Sequence, residues 1–185
     1  MKKPDSLEAL EVPDEGAGSI ETSRAAVALA AAAAAEAPSG GLRARLVGSV
    51  SRGGKFGIFA DRLARLFDIS IEAAEALVAK IEAGQSWKQG PAPGVEWLGV
   101  KAGPRLAGAV AAIGRLQPGA RFPKHGHVGD ETTLVMQGGF RDSSGIEVER
   151  GEELYEAPGT EHDFVILDGE ECIAAVIAVG GVEFR

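Results

Sequence analysis

The first half of the chain places its apolar residues at helical spacing. Residues 20–37 are dominated by alanine, and residues 42–50 carry Leu42, Leu46 and Val50 on one side. Alanine has the highest helix propensity, and apolar residues three or four apart share one face of a helix. Both stretches are therefore predicted to be helical, although the alanine-rich one needs a partner surface to be stable.

Residues 56–67 and 71–83 repeat the helical pattern with larger side chains. Ser70 is the predicted cap of the second stretch, and Gly84 is its predicted end. Because only three residues separate the two stretches, we predict a helical hairpin that packs on the rest of the protein or on a partner. The helical region as a whole is predicted over residues 20–86.

After Trp87 the pattern changes to short apolar runs separated by glycine, proline and aspartate. The predicted strands lie at residues 95–100, 106–116, 132–140, 146–149, 152–157, 164–167 and 172–179. Short strands at this spacing are typical of an antiparallel barrel or jelly roll. We therefore predict a mainly β domain over residues 87–185, with the α-helical region as an N-terminal appendage.

Composition and charge argue against several classes of function and location. The net charge of −8 argues against a broad basic surface for nucleic acid or an anionic membrane. Residues 1–19 are acidic and are predicted to form a flexible tail. These acidic residues separate the basic start from the alanine run, so neither a signal peptide nor a membrane span is predicted. The single cysteine, Cys172, suits a cytoplasmic protein and is predicted to be buried and inert.

All three histidines of the chain lie in one ordered pattern with a glutamate. His125 and His127 form a His-x-His pair, Glu131 follows, and His162 comes farther on. Side chains alternate along a strand, so a His-x-His pair points both rings to the same face. Imidazole and carboxylate groups are ligands of divalent transition metals. The pattern predicts one metal site at these four residues, with Asp130 as a competing carboxylate beside Glu131.

The spacing of these residues and of the glycines around them resembles the two motifs of the cupin superfamily. The resemblance covers about residues 95–185. It implies a jelly-roll barrel, also described as a double-stranded β-helix, whose interior holds one metal bound by three histidines and one glutamate. Ala157 and Ile166 depart from the usual proline and asparagine of the second motif, but neither position is a metal ligand.

Four segments carry a narrower resemblance, at residues 42–46, 59–64, 103–104 and 119–127. They are similar to the cupin-bearing ChrR-like anti-sigma factors. That resemblance implies a regulatory module whose helical region holds a sigma factor or another protein partner. The family's N-terminal domain also carries a zinc motif of one histidine and two cysteines. This chain has no histidine before His125 and no cysteine other than Cys172, so that zinc-dependent domain is predicted to be absent.

Two functions remain open from the sequence. The first is a metal-binding regulatory or sensor cupin, whose helical region contacts a protein partner or caps a homodimer. The second is a small mononuclear metalloenzyme, such as a dioxygenase or a related oxidoreductase or isomerase. Zinc is the predicted metal, and four protein ligands fill its tetrahedral coordination. Octahedral iron, manganese or nickel with the same four ligands retains two open coordination positions. The candidate side chains for an anionic substrate are Arg121, Lys124, Arg141 and Tyr155.

Overall fold

The computed structural model of the protein describes residues 54–185. The predicted acidic tail and the predicted helices at residues 20–37 and 42–50 lie outside the described residues. The predicted helical hairpin and all of the predicted strands lie within them.

Two short helices form the predicted hairpin. A 3-10 turn at Gly57–Phe59 leads into α1 (Ala60–Phe67), and α2 spans Ile71–Glu82. Helix α2 begins at its predicted cap, where the Ser70 hydroxyl oxygen accepts a hydrogen bond from the Ala73 amide at 3.3 Å. None of the helices within residues 54–185 is long and apolar enough to cross a membrane.

The strands of residues 54–185 form two antiparallel sheets. They are β1 (Lys88–Gln89), β2 (Val95–Gly99), β3 (Val110–Leu116), β4 (Arg121–His127), β5 (Glu131–Gln137), β6 (Gly139–Asp142), β7 (Glu147–Glu149), β8 (Glu153–Glu156), β9 (Glu161–Ile166), β10 (Cys172–Ala178) and β11 (Val182–Phe184). The six-stranded sheet has the order β1-β2-β3-β10-β5-β8, and the five-stranded sheet has the order β11-β4-β9-β6-β7. The predicted mainly β jelly roll is confirmed, as two sheets that are not joined into one closed barrel.

Central strand β10 of the six-stranded sheet is buried on both faces. Ile173 and Ile177 pack in the core beneath the helices, whereas Cys172 and Ala174 pack in the core between the two sheets. Because side chains alternate along a strand, one strand supplies both cores and needs apolar residues at every position. Burial also raises the pKa of the Cys172 thiol to about 12, in agreement with the predicted inert thiol.

The single strand predicted over residues 132–140 is wrong, because two strands meet there. Strand β5 ends at Gln137 in the six-stranded sheet, and β6 begins at Gly139 in the five-stranded sheet. Gly138 between them has a φ of 61°. A Cβ at this position would lie 2.8 Å from the carbonyl oxygen of Glu171. Glycine meets both requirements where the chain changes sheets.

Other strand boundaries also differ from the prediction. The strand predicted at residues 106–116 begins only at Val110, after a 3-10 turn at Pro104–Leu106. The strand predicted at residues 164–167 begins earlier, at Glu161, so His162 lies inside it. Strands β1 and β11 were not predicted, because two or three residues are too few to show an alternating pattern.

Candidate metal centre

The structure brings the four predicted ligands together between the two sheets. Strand β4 supplies His125 and His127, and its neighbour β9 supplies His162, which pairs directly with His125 in the sheet. Glu131 comes from β5 in the opposite sheet. The four side chains are buried, with exposed fractions of 1%, 4%, 5% and 6% for His125, His127, His162 and Glu131. One ligand atom from each residue lies within 4.8 Å of the others.

The structure also separates the two adjacent carboxylates. The Glu131 carboxylate faces the cluster, and its Oε1 lies 3.8 Å from His127 Nε2. Asp130 is exposed instead, and its Oδ1 accepts a hydrogen bond from the Tyr155 hydroxyl at 2.6 Å. Of the two carboxylates, Glu131 is therefore the one that lies in the cluster.

Local hydrogen bonding sets the orientation of the His125 ring. His125 Nδ1 donates a hydrogen bond to the carbonyl oxygen of Pro123 at 2.9 Å. Because a carbonyl only accepts, the neutral ring carries its hydrogen on Nδ1 and a lone pair on Nε2. That Nε2 lies 3.1 Å from Nε2 of His162. Two nitrogens bound to one zinc ion at about 2.0–2.1 Å lie roughly 2.9–3.4 Å apart, so this separation fits a shared metal.

The His127 ring is oriented by a hydroxyl and a carboxylate. His127 Nδ1 lies 2.9 Å from the Thr160 hydroxyl oxygen, which lies 2.9 Å from Glu156 Oε2 and 2.8 Å from the Ala157 carbonyl oxygen. Both of those oxygens only accept, so Thr160 donates to one of them and accepts from His127 Nδ1. His127 Nε2 then carries a lone pair, and it is buried with no hydrogen-bond partner among the described residues. A metal ion in the cluster would satisfy this nitrogen.

Glu156 also faces the third histidine. Its Oε1 lies 3.6 Å from His162 Nδ1, which has no hydrogen-bond partner within residues 54–185. The Glu156 carboxylate thus contacts the Nδ1 side of His162 directly and that of His127 through Thr160. Carboxylates commonly occupy this position next to metal-binding histidines. Glu156 and Thr160 were not among the predicted site residues. Thr160 lies only two residues before His162 in the second cupin motif, which was the available signal.

The electrostatics of the cluster suit a cation. Burial lowers the pKa of His125 to about 4 and also lowers the pKa of His162. Burial raises the pKa of Glu131 to about 7, and the nearby Glu156 carboxylate adds to that rise. Neutral imidazoles are the form that binds metals. Within residues 54–185, no lysine or arginine forms an ion pair with the Glu131 carboxylate. The residues present therefore fit a divalent metal ion.

An apolar cavity of about 90 Å³ adjoins the cluster. Its walls include the rings of Trp97, Phe122 and Phe164, and the Phe122 and Phe164 rings are stacked with centroids 4.9 Å apart. His125 and Glu131 also line it and form a polar corner. The cluster is therefore accessible from a space that can hold a small molecule.

Four side chains were predicted to bind an anionic substrate, and none of them lines this cavity: Arg121, Lys124, Arg141 and Tyr155. Lys124 Nζ pairs with Glu161 at 2.9 Å, and Arg141 pairs with Glu147. The Tyr155 hydroxyl donates to Asp130, as described above, and Arg121 is exposed. The structure therefore provides no basic side chain from this set to a molecule in the cavity.

Comparison with known families identifies the fold. Residues 75–179, more than half of the chain, match the family described as the ChrR cupin-like domain. The chain therefore belongs to that family. No curated protein matches the sequence.

Several solved structures resemble the chain. A chain in the crystal structure of Rhodobacter sphaeroides SigE in complex with the anti-sigma ChrR is 27% identical, with 63% of this chain and 54% of that chain covered and a TM-score of 0.47. An acetylacetone dioxygenase from Acinetobacter johnsonii is 18% identical, with 53% and 70% covered and a TM-score of 0.47. KdgF from Halomonas sp. is 22% identical, with 52% and 88% covered and a TM-score of 0.44. The match spans about half the length of the chain from the SigE–ChrR structure.

Proposed function

We propose that this chain is a metal-binding regulatory module of the ChrR type, and that His125, His127, Glu131 and His162 hold one zinc ion. The observation that carries the proposal is the buried cluster, in which hydrogen bonds at Nδ1 of His125 and His127 leave their Nε2 atoms free toward the other ligands. Four protein ligands complete a tetrahedral zinc site, and zinc is redox-silent. Such a site suits binding and regulation rather than redox chemistry.

The proposal assigns separate roles to the two parts of the chain. Residues 87–185 form the metal-binding cupin domain, and the helical region at residues 20–86, which lacks the family's zinc motif, contacts a sigma factor or another regulator in the cytoplasm. The apolar faces of α1 and α2 are already buried against the six-stranded sheet. These two helices would therefore meet a partner through their exposed polar surface, where Glu72 and Glu75 lie. A homodimer formed through the helical region is the competing arrangement.

The metal assignment is tested by elemental analysis of protein purified from its native host without chelators. We expect close to one zinc per chain in the wild type and in the control Glu161→Ala, whose exposed carboxylate lies outside the cluster. We expect loss of stoichiometric metal in His162→Ala. Full occupancy in His162→Ala would contradict the ligand assignment, and a wild type without metal would contradict the metal site itself.

The partner assignment is tested by pull-down from the native host with the full chain as bait. A double variant Glu72→Arg/Glu75→Arg changes the exposed surface of α2, and Glu149→Arg/Glu183→Arg makes the same change on exposed positions of the strands. We expect a sigma factor with the wild type and the strand variant, and little with the helix variant. Equal recovery by both variants would place the contact outside α2. Recovery of no sigma factor by the wild type would contradict the regulatory proposal.

The second candidate function is a small mononuclear metalloenzyme, a dioxygenase or a related oxidoreductase or isomerase. The cavity beside His125 and Glu131 favours it, because a molecule held there would lie next to the metal. A bound iron, manganese or nickel ion would supply Lewis acidity and open coordination positions. The test is oxygen consumption and turnover of diketones and thiols by the iron-loaded protein. No turnover, together with zinc in the native protein, would count against this candidate.

A further inference from the structure

We infer that the cavity between the sheets binds a small neutral molecule with a mainly apolar body, whose one polar group faces His125 and Glu131. The inference deepens the proposed function and rests on it for the metal beside the cavity. It assigns a chemical class to the ligand of the proposed module.

The size of the cavity follows from small side chains on one face of β10. Ala174 and Ala178 point toward the cavity, whereas Ile173 and Ile177 fill the core on the opposite face of the same strand. The cavity of about 90 Å³ is several times the volume of about 10–15 Å³ that one water molecule needs. It therefore has room for a small molecule of several non-hydrogen atoms.

The walls of the cavity determine which chemistry is favoured. Among the described residues that line it, Glu131 is the one carboxylate, and there is no lysine or arginine. A polyhydroxylated molecule would lose hydration and find few partners besides His125, Glu131 and Thr133. In the metal-free chain an anion would meet Glu131 without a basic side chain to compensate. Aromatic and aliphatic walls instead favour an apolar body, while the corner at His125 and Glu131 accommodates one polar group.

The cavity has an apolar rim through which such a molecule can enter. Val110 lines the cavity and is 54% exposed, and Val182 lines it as a half-buried residue. Val176 on β10 is also half-buried, and its side chain lines the cavity. A larger side chain at Val176 would occupy the space while leaving the four metal-ligand candidates unchanged.

The test compares three probes that have the same number of non-hydrogen atoms: pentan-2-ol, whose hydroxyl can donate to Glu131, butanoate and glycerol. Each is titrated into the zinc-loaded and the metal-free full chain, with methyl chemical shifts as the readout and zinc content measured on the same samples. We expect pentan-2-ol to bind at least about tenfold more tightly than glycerol in both forms of the chain, and at least about tenfold more tightly than butanoate in the metal-free form, because burial without compensation penalises charged and hydroxyl groups. We also expect nuclear Overhauser contacts from its methyl groups to Ala174 and Ala178.

A pair of matched variants locates the binding. Val176→Phe fills the cavity, and the control Val179→Phe makes the same change at a residue that is 44% exposed and does not line it. We expect Val176→Phe to lose pentan-2-ol binding while retaining zinc, and Val179→Phe to retain both. If Val176→Phe does not fold, the contacts to Ala174 and Ala178 in the wild type still decide the site.

The outcomes separate this inference from the metal proposal. Zinc binding without binding of pentan-2-ol, or with glycerol bound equally tightly, would overturn the ligand class and leave the metal site standing. Butanoate bound by the metal-free chain as tightly as pentan-2-ol, or contacts of pentan-2-ol to residues away from the cavity, would overturn it too. Absence of zinc from the wild type would overturn the proposed function, while the metal-free titration would still show whether the cavity selects apolar molecules.

Discussion

The six-stranded sheet separates two interiors that are built from alternate residues of the same strands but differ in content. The core beneath the helices, as far as residues 54–185 show, consists of apolar side chains such as Leu63, Phe67 and Ile113. The interior between the sheets also has an apolar core, but it contains four buried polar ligand candidates and a cavity of about 90 Å³. The core beneath the helices stabilises the fold through apolar packing. The interior between the sheets is less completely packed, because it also contains the polar cluster and the cavity.

Strand β10 shows this difference within a few residues. Toward the helices it presents Ile173 and Ile177, and toward the other sheet it presents Ala174 and Ala178. Larger side chains bury more apolar surface and stabilise the fold. Small ones at the alternate positions leave the cavity open. We therefore expect substitutions in the two interiors to separate stability from metal binding.

The largest effect is expected in the core beneath the helices. Phe67 is fully buried, so Phe67→Ala should lower the free energy of unfolding by about 3–5 kcal/mol. The control Ile58→Ala, at a residue that is 53% exposed, should change it by no more than about 0.5 kcal/mol. Urea denaturation measures both values. The folded Phe67→Ala protein should bind metal as the wild type does, and a weakened metal site would contradict the separation of the two interiors.

In the cluster between the sheets, removal of a charge should increase stability. Burial raises the pKa of Glu131 to about 7 from its ordinary value of 4.5. The folded protein therefore loses stability as the pH rises from 4.5 to 7, because the unfolded chain ionises in this range while the buried carboxyl resists. At pH 8 the metal-free Glu131→Gln protein should be more stable than the metal-free wild type, by at most about 3 kcal/mol.

Denaturation at pH 8 and at pH 4 checks the Glu131→Gln prediction, and the difference should nearly vanish at pH 4. Asp130→Asn is the matched control, since its exposed carboxylate lies outside the cluster. A Glu131→Gln protein that is less stable than the wild type at pH 8 would show that the carboxylate supports the fold rather than the site.

Metal removal should affect stability through the cluster alone. At a free zinc concentration a hundredfold above the dissociation constant, binding stabilises the folded state by about 2.7 kcal/mol. A chelator should therefore lower the stability of the wild type by about this amount and should leave His162→Ala unchanged. Thermal unfolding with and without chelator is the measurement, and an equal chelator effect in both proteins would place the metal elsewhere.

The smallest effect is expected from the groups that orient the histidines. Glu156→Gln and Thr160→Val should each weaken metal affinity by about 10–100-fold, because they disturb hydrogen bonding behind His127 and His162. The control Glu153→Gln changes an exposed carboxylate of the same strand, which pairs with Arg62. Competition with a fluorescent zinc chelator measures the affinities. Unchanged affinity in both variants would show that the ring orientations do not depend on Glu156 and Thr160.

The elements that local pattern predicts well are the helices and the central strands. Ser70 caps α2 as predicted, because capping depends on residues within one turn of the helix. The strand boundary at Gly138 was not predicted. It is seen only in the folded chain, where Gly138 has a φ of 61° and lies close to Glu171, which is distant in sequence. Apolar residues lie on both sides of that boundary, at residues 134–136 and at Phe140, so the run was predicted as one strand.

The residue pattern alone was enough to predict one group of three histidines with Glu131, because the His-x-His pair depends only on alternation within one strand and the remaining spacing matches the cupin motifs. It left Asp130 as a competing carboxylate and did not show which groups surround the histidines, because those contacts depend on how the strands pack. Glu156 reaches His162, and Glu131 rather than Asp130 faces the histidines, only because strands from both sheets meet there. The cavity is likewise a product of packing, since alanines on β10 leave space only when the aromatic rings of Phe122 and Phe164 stand opposite.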